Sequence, residues 1–115
     1  MNDEQYRALA LSFPGAIESS HMNHPDFRVG GRIFATLGSK HQRGVVKLMP
    51  EQQDILTGAH PHWFTPAAGA WDRRGWTNVA LDDVDEETMR SALLMAWRNT
   101  APRRVVAEYE RCNPE

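Results

Sequence analysis

The chain has 115 residues, 41% of them hydrophobic and 24% charged, proportions that fit one compact domain and exclude a disordered or fibrous protein. Its 13 basic and 15 acidic residues leave a net charge of -2, so no global field draws it to nucleic acid and any such binding has to come from a local patch. The lone cysteine, Cys112, permits neither an internal disulfide nor a cysteine-held zinc, which fits a reducing cytoplasm.

The first residues, MNDEQYRALALSF, lack the basic start and continuous apolar run of a signal peptide, and no window reaches the length of a membrane span. Neither export nor a membrane association is expected. From Asp3 to Phe13 the apolar residues Tyr6, Leu9, Ala10 and Phe13 recur at helical spacing, and Pro14-Gly15 stops the helix. IESSHM is a weak strand signal. HPDFRV and RIFATL then enclose Gly30-Gly31, the pair that a two-residue hairpin turn accepts.

A simple hairpin register sets Val29 opposite Arg32, Arg28 opposite Ile33 and Phe27 opposite Phe34. Phe27, Val29 and Phe34 would then share one face, while Ile33, Ala35 and Leu37 take the other. Two apolar faces imply a cover beyond one helical layer: another helix, a folded loop or a partner. GSKHQRG reads as a polar loop and VVKLM as the third strand.

Pro50 opens a helix over PEQQDILTG that Gly58 is expected to close. HPHWFTPAAGAWDRRG reads as an ordered loop with a short extended piece at 62–64, and GWTNVAL as a strand. DDVDEE supplies an N-cap and favourable charge for a helix whose apolar stripe is Met89, Ala92, Leu93, Ala96 and Trp97. Pro102 starts a last helical stretch, with Val105, Val106 and Tyr109 near one face. Met22, Met49, Met89 and Met95 read as core fillers. The order α-β-β-β-α-β-β-α plus a C-terminal helix predicts a two-layer α+β domain with an antiparallel sheet, a single domain over residues 1–115.

The stretches FPGAIE, DFRVGGRIFATL, VKLMPEQ, WDRRGWTNVAL and LLMAWRNTAP, in that order, resemble the MmcQ/YjbR family of small bacterial proteins, from about residue 5 to about residue 104. The resemblance implies a two-layer α+β fold with an antiparallel sheet. Members are commonly labelled DNA-binding. The family offers no settled site, so the resemblance assigns no residue a role.

The residues themselves point to one patch. Arg28, Arg32, Lys40, Arg43 and Lys47 fall between residues 27 and 50, where there is no Asp or Glu. Arg73 and Arg74, and further on Arg98, Arg103 and Arg104, could extend it. Lys and Arg contacts to phosphate give sequence-independent affinity, to which exposed aromatics add stacking. Trp71, in the loop, is the candidate stacker, whereas Trp76 opens a strand and reads as a core or sheet-face packing group, with Gly75 permitting the turn between them. The competing reading is a solvated face whose charges protect it from edge pairing.

Other chemistries find less support. His21 and His24, or His60 and His62, have spacings a metal could bridge only if loops converged, and no metal is expected. Glu18, His21 and Asp26 lack an orienting third group, and Ser19 and Ser20 sit in no nucleophile motif. Gly30-Gly31 lies between two strands and not between strand and helix, so no nucleotide cofactor is implied. The expectation is therefore a cytoplasmic, monomeric, non-enzymatic domain without cofactor that binds nucleic acid weakly and salt-dependently through Arg28, Arg32, Lys47, Arg73 and Arg74, with Trp71 stacking. The alternatives are a protein-interaction or chaperone-like module using the apolar second face, and, third, an enzyme or small-ligand binder with a pocket between the Trp loop and the hairpin.

Overall fold

The computed structural model describes residues 1–21, 24–38, 43–67 and 75–112. In chain order these form α1 (Asp3–Leu11), β1 (Ile17–His21), β2 (His24–Val29), β3 (Arg32–Leu37), β4 (Arg43–Lys47), α2 (Pro50–Ala59), β5 (Phe64–Pro66), β6 (Trp76–Ala80), α3 (Glu86–Thr100) and α4 (Arg103–Cys112). The six strands make one sheet in the order β1-β2-β3-β4-β6-β5, each neighbouring pair antiparallel. An α+β fold with an antiparallel sheet is thus what these residues build.

Gly30 and Gly31 both take positive φ, 60° and 81°, the backbone that a primed two-residue turn requires. The register leaves that turn as predicted, with Val29 opposite Arg32 and Arg28 opposite Ile33, but then slips, so that Phe27 faces Ala35 and Asp26 faces Thr36. Phe34 is the extra residue of a β-bulge. Beyond it the alternation of β3 is reset: Phe34, Ala35 and Leu37 are all buried in one core with Phe27 and Val29. The expected second apolar face over Ile33, Ala35 and Leu37 therefore does not form, because one extra residue returns Ala35 and Leu37 to the first.

Three helices among the described residues, α1, α2 and α3, pack on that single face. α3 lies along β3 and β4, α1 against β3 and α3, and α2 against β5. Tyr6 of α1 lies over Gly44, where a Cβ would come 2.7 Å from the ring, and its hydroxyl donates to the Thr36 carbonyl at 3.0 Å. Burial pushes this phenol far above its ordinary pKa, so it serves as a neutral donor. Trp97 of α3 is fully buried between Phe13 and Tyr109, and its Nε1–H donates to the Pro14 carbonyl at 2.9 Å, tying α1's end to α3 and α4. Asp85 caps α3, accepting from the Thr88 N–H at 2.7 Å; hydrogen bonds from Thr88 hold its carboxyl below the usual range. That contribution is complete above the unfolded value near ~4 and is lost as pH falls through the lower folded value.

Several boundaries differ from the sequence expectation. The weak signal at IESSHM becomes a full edge strand, β1, so four strands precede α2. α2 runs through Gly58 to Ala59, stopping at His60 because Pro61 follows. The extended piece near 62–64 lies at Phe64–Pro66 instead. Met89 is core, but Met49 is 51% exposed at the start of α2 and fills nothing; Met22 lies outside the described residues.

Gly75, at φ 88°, seats β6 beside β4. A Cβ there would come 1.7 Å from the Leu48 carbonyl oxygen, and the Leu48 N–H donates to the Gly75 carbonyl at 3.0 Å. Gln53 of α2 donates to the Trp76 carbonyl at 3.0 Å and to Thr77 Oγ1 at 3.1 Å, fixing the same junction from the helix side. Gly58, by contrast, is helical with open space at its Cβ position. In urea unfolding, Gly75→Ala is expected to cost at least about 2 kcal/mol, since left-handed strain of roughly 1–3 kcal/mol adds to the clash. Gly58→Ala is expected to add about 0.5–1 kcal/mol.

Candidate functional site

The face of the sheet turned away from the helices carries a different chemistry. Directly paired residues share a face, so the registers define its rows. One row crosses all six strands as Ser19, Asp26, Thr36, Val45, Asn78 and Thr65. The neighbouring row, nearer the Gly30-Gly31 turn, carries Ile17, Arg28 and Ile33 on β1 to β3 and Lys47 and Trp76 on β4 and β6. Beyond the polar row, Arg43 pairs with Ala80. A hydrogen-bonding row thus lies beside a row with two cations and an indole.

Within the second row, Lys47 Nζ lies 5.9 Å from the centre of the half-buried Trp76 ring, a cation–π contact. Arg28 and Lys47 are separated by β3, a gap of about 10 Å at ordinary strand spacing. Asp26, on the same face, is fully buried and takes a two-pronged contact from Arg28, Nε to Oδ1 at 2.8 Å and Nη2 to Oδ2 at 3.1 Å. This bond raises the already high guanidinium pKa and fixes the group's orientation. Asp26 is also the one acidic strand residue on this face among those described and it pairs with Arg28, whereas Lys47 makes no ion pair among the described residues.

Several of the acids among the described residues lie elsewhere. Glu4 and Glu18 bind Arg7 on the helix side, at 3.1 and 2.9 Å. Asp82 and Asp83 follow β6, which begins at Trp76 beside Lys47 and ends at Ala80 beside Arg43. Four residue steps of strand span about 13 Å, longer than the Debye length of ~8–10 Å at physiological salt. Lys47 is outside the reach of that run and Arg43 is close to it.

Of the residues singled out in the sequence, Arg28 and Lys47 come together on the outer face. Arg32 does not: it pairs with Val29, whose side chain is in the core, and so stands exposed at the helix-side end of the hairpin. Trp71, Arg73 and Arg74 lie outside the described residues, as does Lys40. Trp76 is sheet-face packing and not core. Asn78 and Trp76 could have been placed from the pattern, because Thr77, Val79 and Leu81 form the alternating buried set and leave Trp76, Asn78 and Ala80 to the other face.

The surface hollows present less chemistry. One of about 510 Å³ is lined by Glu18, Ser19, Ser20 and Pro25, one of about 330 Å³ by Pro14, Val105, Glu108, Tyr109 and Cys112, and one of about 210 Å³ by Ala59, His60, Pro61, His62 and Trp63. His60 stacks on Trp63 at 4.5 Å, which makes it a packing group. Among the described residues no three His, Cys, Asp or Glu side chains gather as metal ligands, and no helix is long and apolar enough to cross a membrane. A pocket between the Trp loop and the hairpin would fall on residues outside those described.

The family model YjbR matches residues 11–99, from the end of α1 to the end of α3. The chain belongs to the YjbR family. A Deinococcus radiodurans protein of known crystal structure, DR2400, whose domain is described as DUF419, superposes on this YjbR chain with a TM-score of 0.72. The two are 23% identical, and the match covers 84% of this chain and 75% of that one, so the likeness concerns the fold. No match is found among curated proteins.

The Asp26 and Arg28 pair generates a direct test of how the outer face of this YjbR domain is held. Asp26→Asn is expected to lower the melting temperature by at least about 5 °C, because a buried carboxylate that anchors a guanidinium is lost. Arg28→Lys keeps the charge but not the two-pronged geometry and should fall between Asp26→Asn and the parent.

Proposed function

We propose that this YjbR protein is a cytoplasmic, monomeric, non-enzymatic domain that binds nucleic acid weakly through the outer face of its sheet. The observation that carries this reading is that Arg28, Lys47 and Trp76 share a face with no helix among the described residues. A phosphate backbone supplies the complementary charge, and the indole offers a surface for a base. Arg43 belongs to the interface as a weaker contact; Arg73, Arg74 and Trp71, which the sequence also singles out, lie outside the described residues. DNA is the form of nucleic acid with which the family label agrees.

The apolar face on which a chaperone-like reading depended is largely consumed by the core, since Ala35 and Leu37 are buried there. Compensation of Arg28 by Asp26 leaves few free charges on this face among the described residues, which is why the affinity is expected to be modest.

Fluorescence anisotropy with a labelled DNA duplex across a salt series tests the reading. Each phosphate contact removed should flatten the slope of log K against log salt by roughly 0.9. Lys47→Ala should show that change most clearly and Arg43→Ala less, while Arg32→Ala, an equal loss of charge on the other side of the sheet, should leave the slope nearly unchanged. Equal effects of all three substitutions would mean that charge alone matters and that the outer face is no interface.

A further inference from the structure

Resting on the reading above, we infer that the ligand of the outer face is a single strand of nucleic acid, lying across the β-strands, with one base stacked on Trp76 in place of the Lys47 ammonium.

Shape is the first argument. Six strands at ~4.8 Å spacing make a face about 24 Å wide, twice the width of a B-DNA major groove at roughly 12 Å. Neither a helix nor a two-stranded ribbon projects from this face among the described residues. A duplex laid on it would therefore meet cations only along its phosphate ridges. A single strand can turn its bases toward the sheet, where the indole and the polar row are.

Energy is the second argument. Lys47 Nζ over the half-buried Trp76 ring, at 5.9 Å from its centre, is a long cation–π contact worth on the order of 1 kcal/mol. A stacked base is worth about 1–3 kcal/mol. The base therefore displaces the ammonium, and Lys47, on a flexible four-carbon stem, swings to the adjoining phosphate, where it gains rather than loses.

Row geometry is the third. Asn78 stands two residues from Trp76 on β6 and next to Val45 and Thr65 in the polar row, with Thr36 one strand beyond Val45. An amide and hydroxyls beside a stacked base are groups that reach its hydrogen-bonding edge, which a single strand exposes and a duplex hides. Asn78 is thus a base-edge contact, and Arg28, held rigid by Asp26, is a fixed phosphate contact at the far end of the Lys47 row.

The test compares one mixed-sequence oligodeoxynucleotide, on the order of 10 nucleotides to match common single-strand site sizes, as a single strand and as its duplex at the same salt. The single strand is expected to bind about 10-fold more tightly. Trp76→Ala should weaken the single strand about 5- to 150-fold, the range that one lost stack represents, and leave the duplex nearly unchanged. Trp76→Phe should keep most of the single-strand affinity, and Asn78→Ala should narrow the preference without altering the salt slope. If Trp76→Ala proves unfolded by its thermal melt, the parent's strand preference and the Trp76→Phe and Asn78→Ala variants decide the matter. Duplex bound as tightly as single strand, with no selective loss at Trp76, would overturn this inference while the outer face stands as a nucleic-acid site. No binding of either form at low salt would remove the site itself.

Discussion

A single extra residue in β3 determines which way this sheet faces. Phe34 sits in the bulge between the Arg28–Ile33 and Phe27–Ala35 pairs, and side chains in a strand otherwise alternate strictly. Without the bulge, Ala35 and Leu37 would lie on the same side as Arg28 and would need a second covering layer. With it, the core is one continuous cluster, from Tyr6 through Phe27 and Phe34 to Trp97. The opposite face is left to charged and polar groups, so the bulge is both the packing solution and the origin of the candidate site.

The second constraint is close approach of backbone. Gly75 has no room for a side chain against Leu48, and Gly44 none against Tyr6. The first contact brings β6 alongside β4 so that Lys47 and Trp76 pair directly, and the second seats α1 on the strand that carries Lys47. Glycine's entropic penalty at two strand ends is accepted where any other residue would hold the strands apart. Gln53 then bridges α2 to the same place, so the end of the sheet that bears the indole is braced from three elements.

Much of this was legible in the residues. Gly30-Gly31 between β-rich runs names a primed turn because few other residues tolerate positive φ twice in succession, and the helices follow from stripes such as Met89, Ala92, Leu93, Ala96 and Trp97. The edge strand β1 was faint because an edge needs no apolar alternation: Ile17 is 59% exposed, and Glu18 makes an ion pair instead of entering the core. The bulge was hidden by a coincidence, since a regular hairpin also pairs two phenylalanines plausibly; the clue was the unbroken run Ile33-Phe34-Ala35, where period two fails. For the site, composition picked out Arg28 and Lys47 and left open whether they share a surface, which strand pairing decides by putting both on the outer face. It missed that Arg32 belongs to the other side, which depends on pairing and not on proximity in the chain, and it passed over Asn78, which carries no charge to attract notice.

A net charge of -2 suggests a protein indifferent to polyanions, yet the sum conceals where charges cancel. Arg7 is spent on Glu4 and Glu18, Arg98 on Glu110, and Arg28 largely on Asp26. The run from Asp82 to Glu87 serves the N-terminus of α3, where a helix dipole favours acids, and lies more than a Debye length from Lys47. What a ligand approaching the outer face meets, among the described residues, is Lys47 and Arg43 beside an Arg28 that Asp26 already holds. The uncompensated charges among the described residues fall short of the six to ten phosphate contacts from which a duplex-binding protein draws its affinity. Whatever further affinity this face has must come from contacts that do not depend on charge, and the indole of Trp76 with the polar row beside it is the part of the surface equipped to make them.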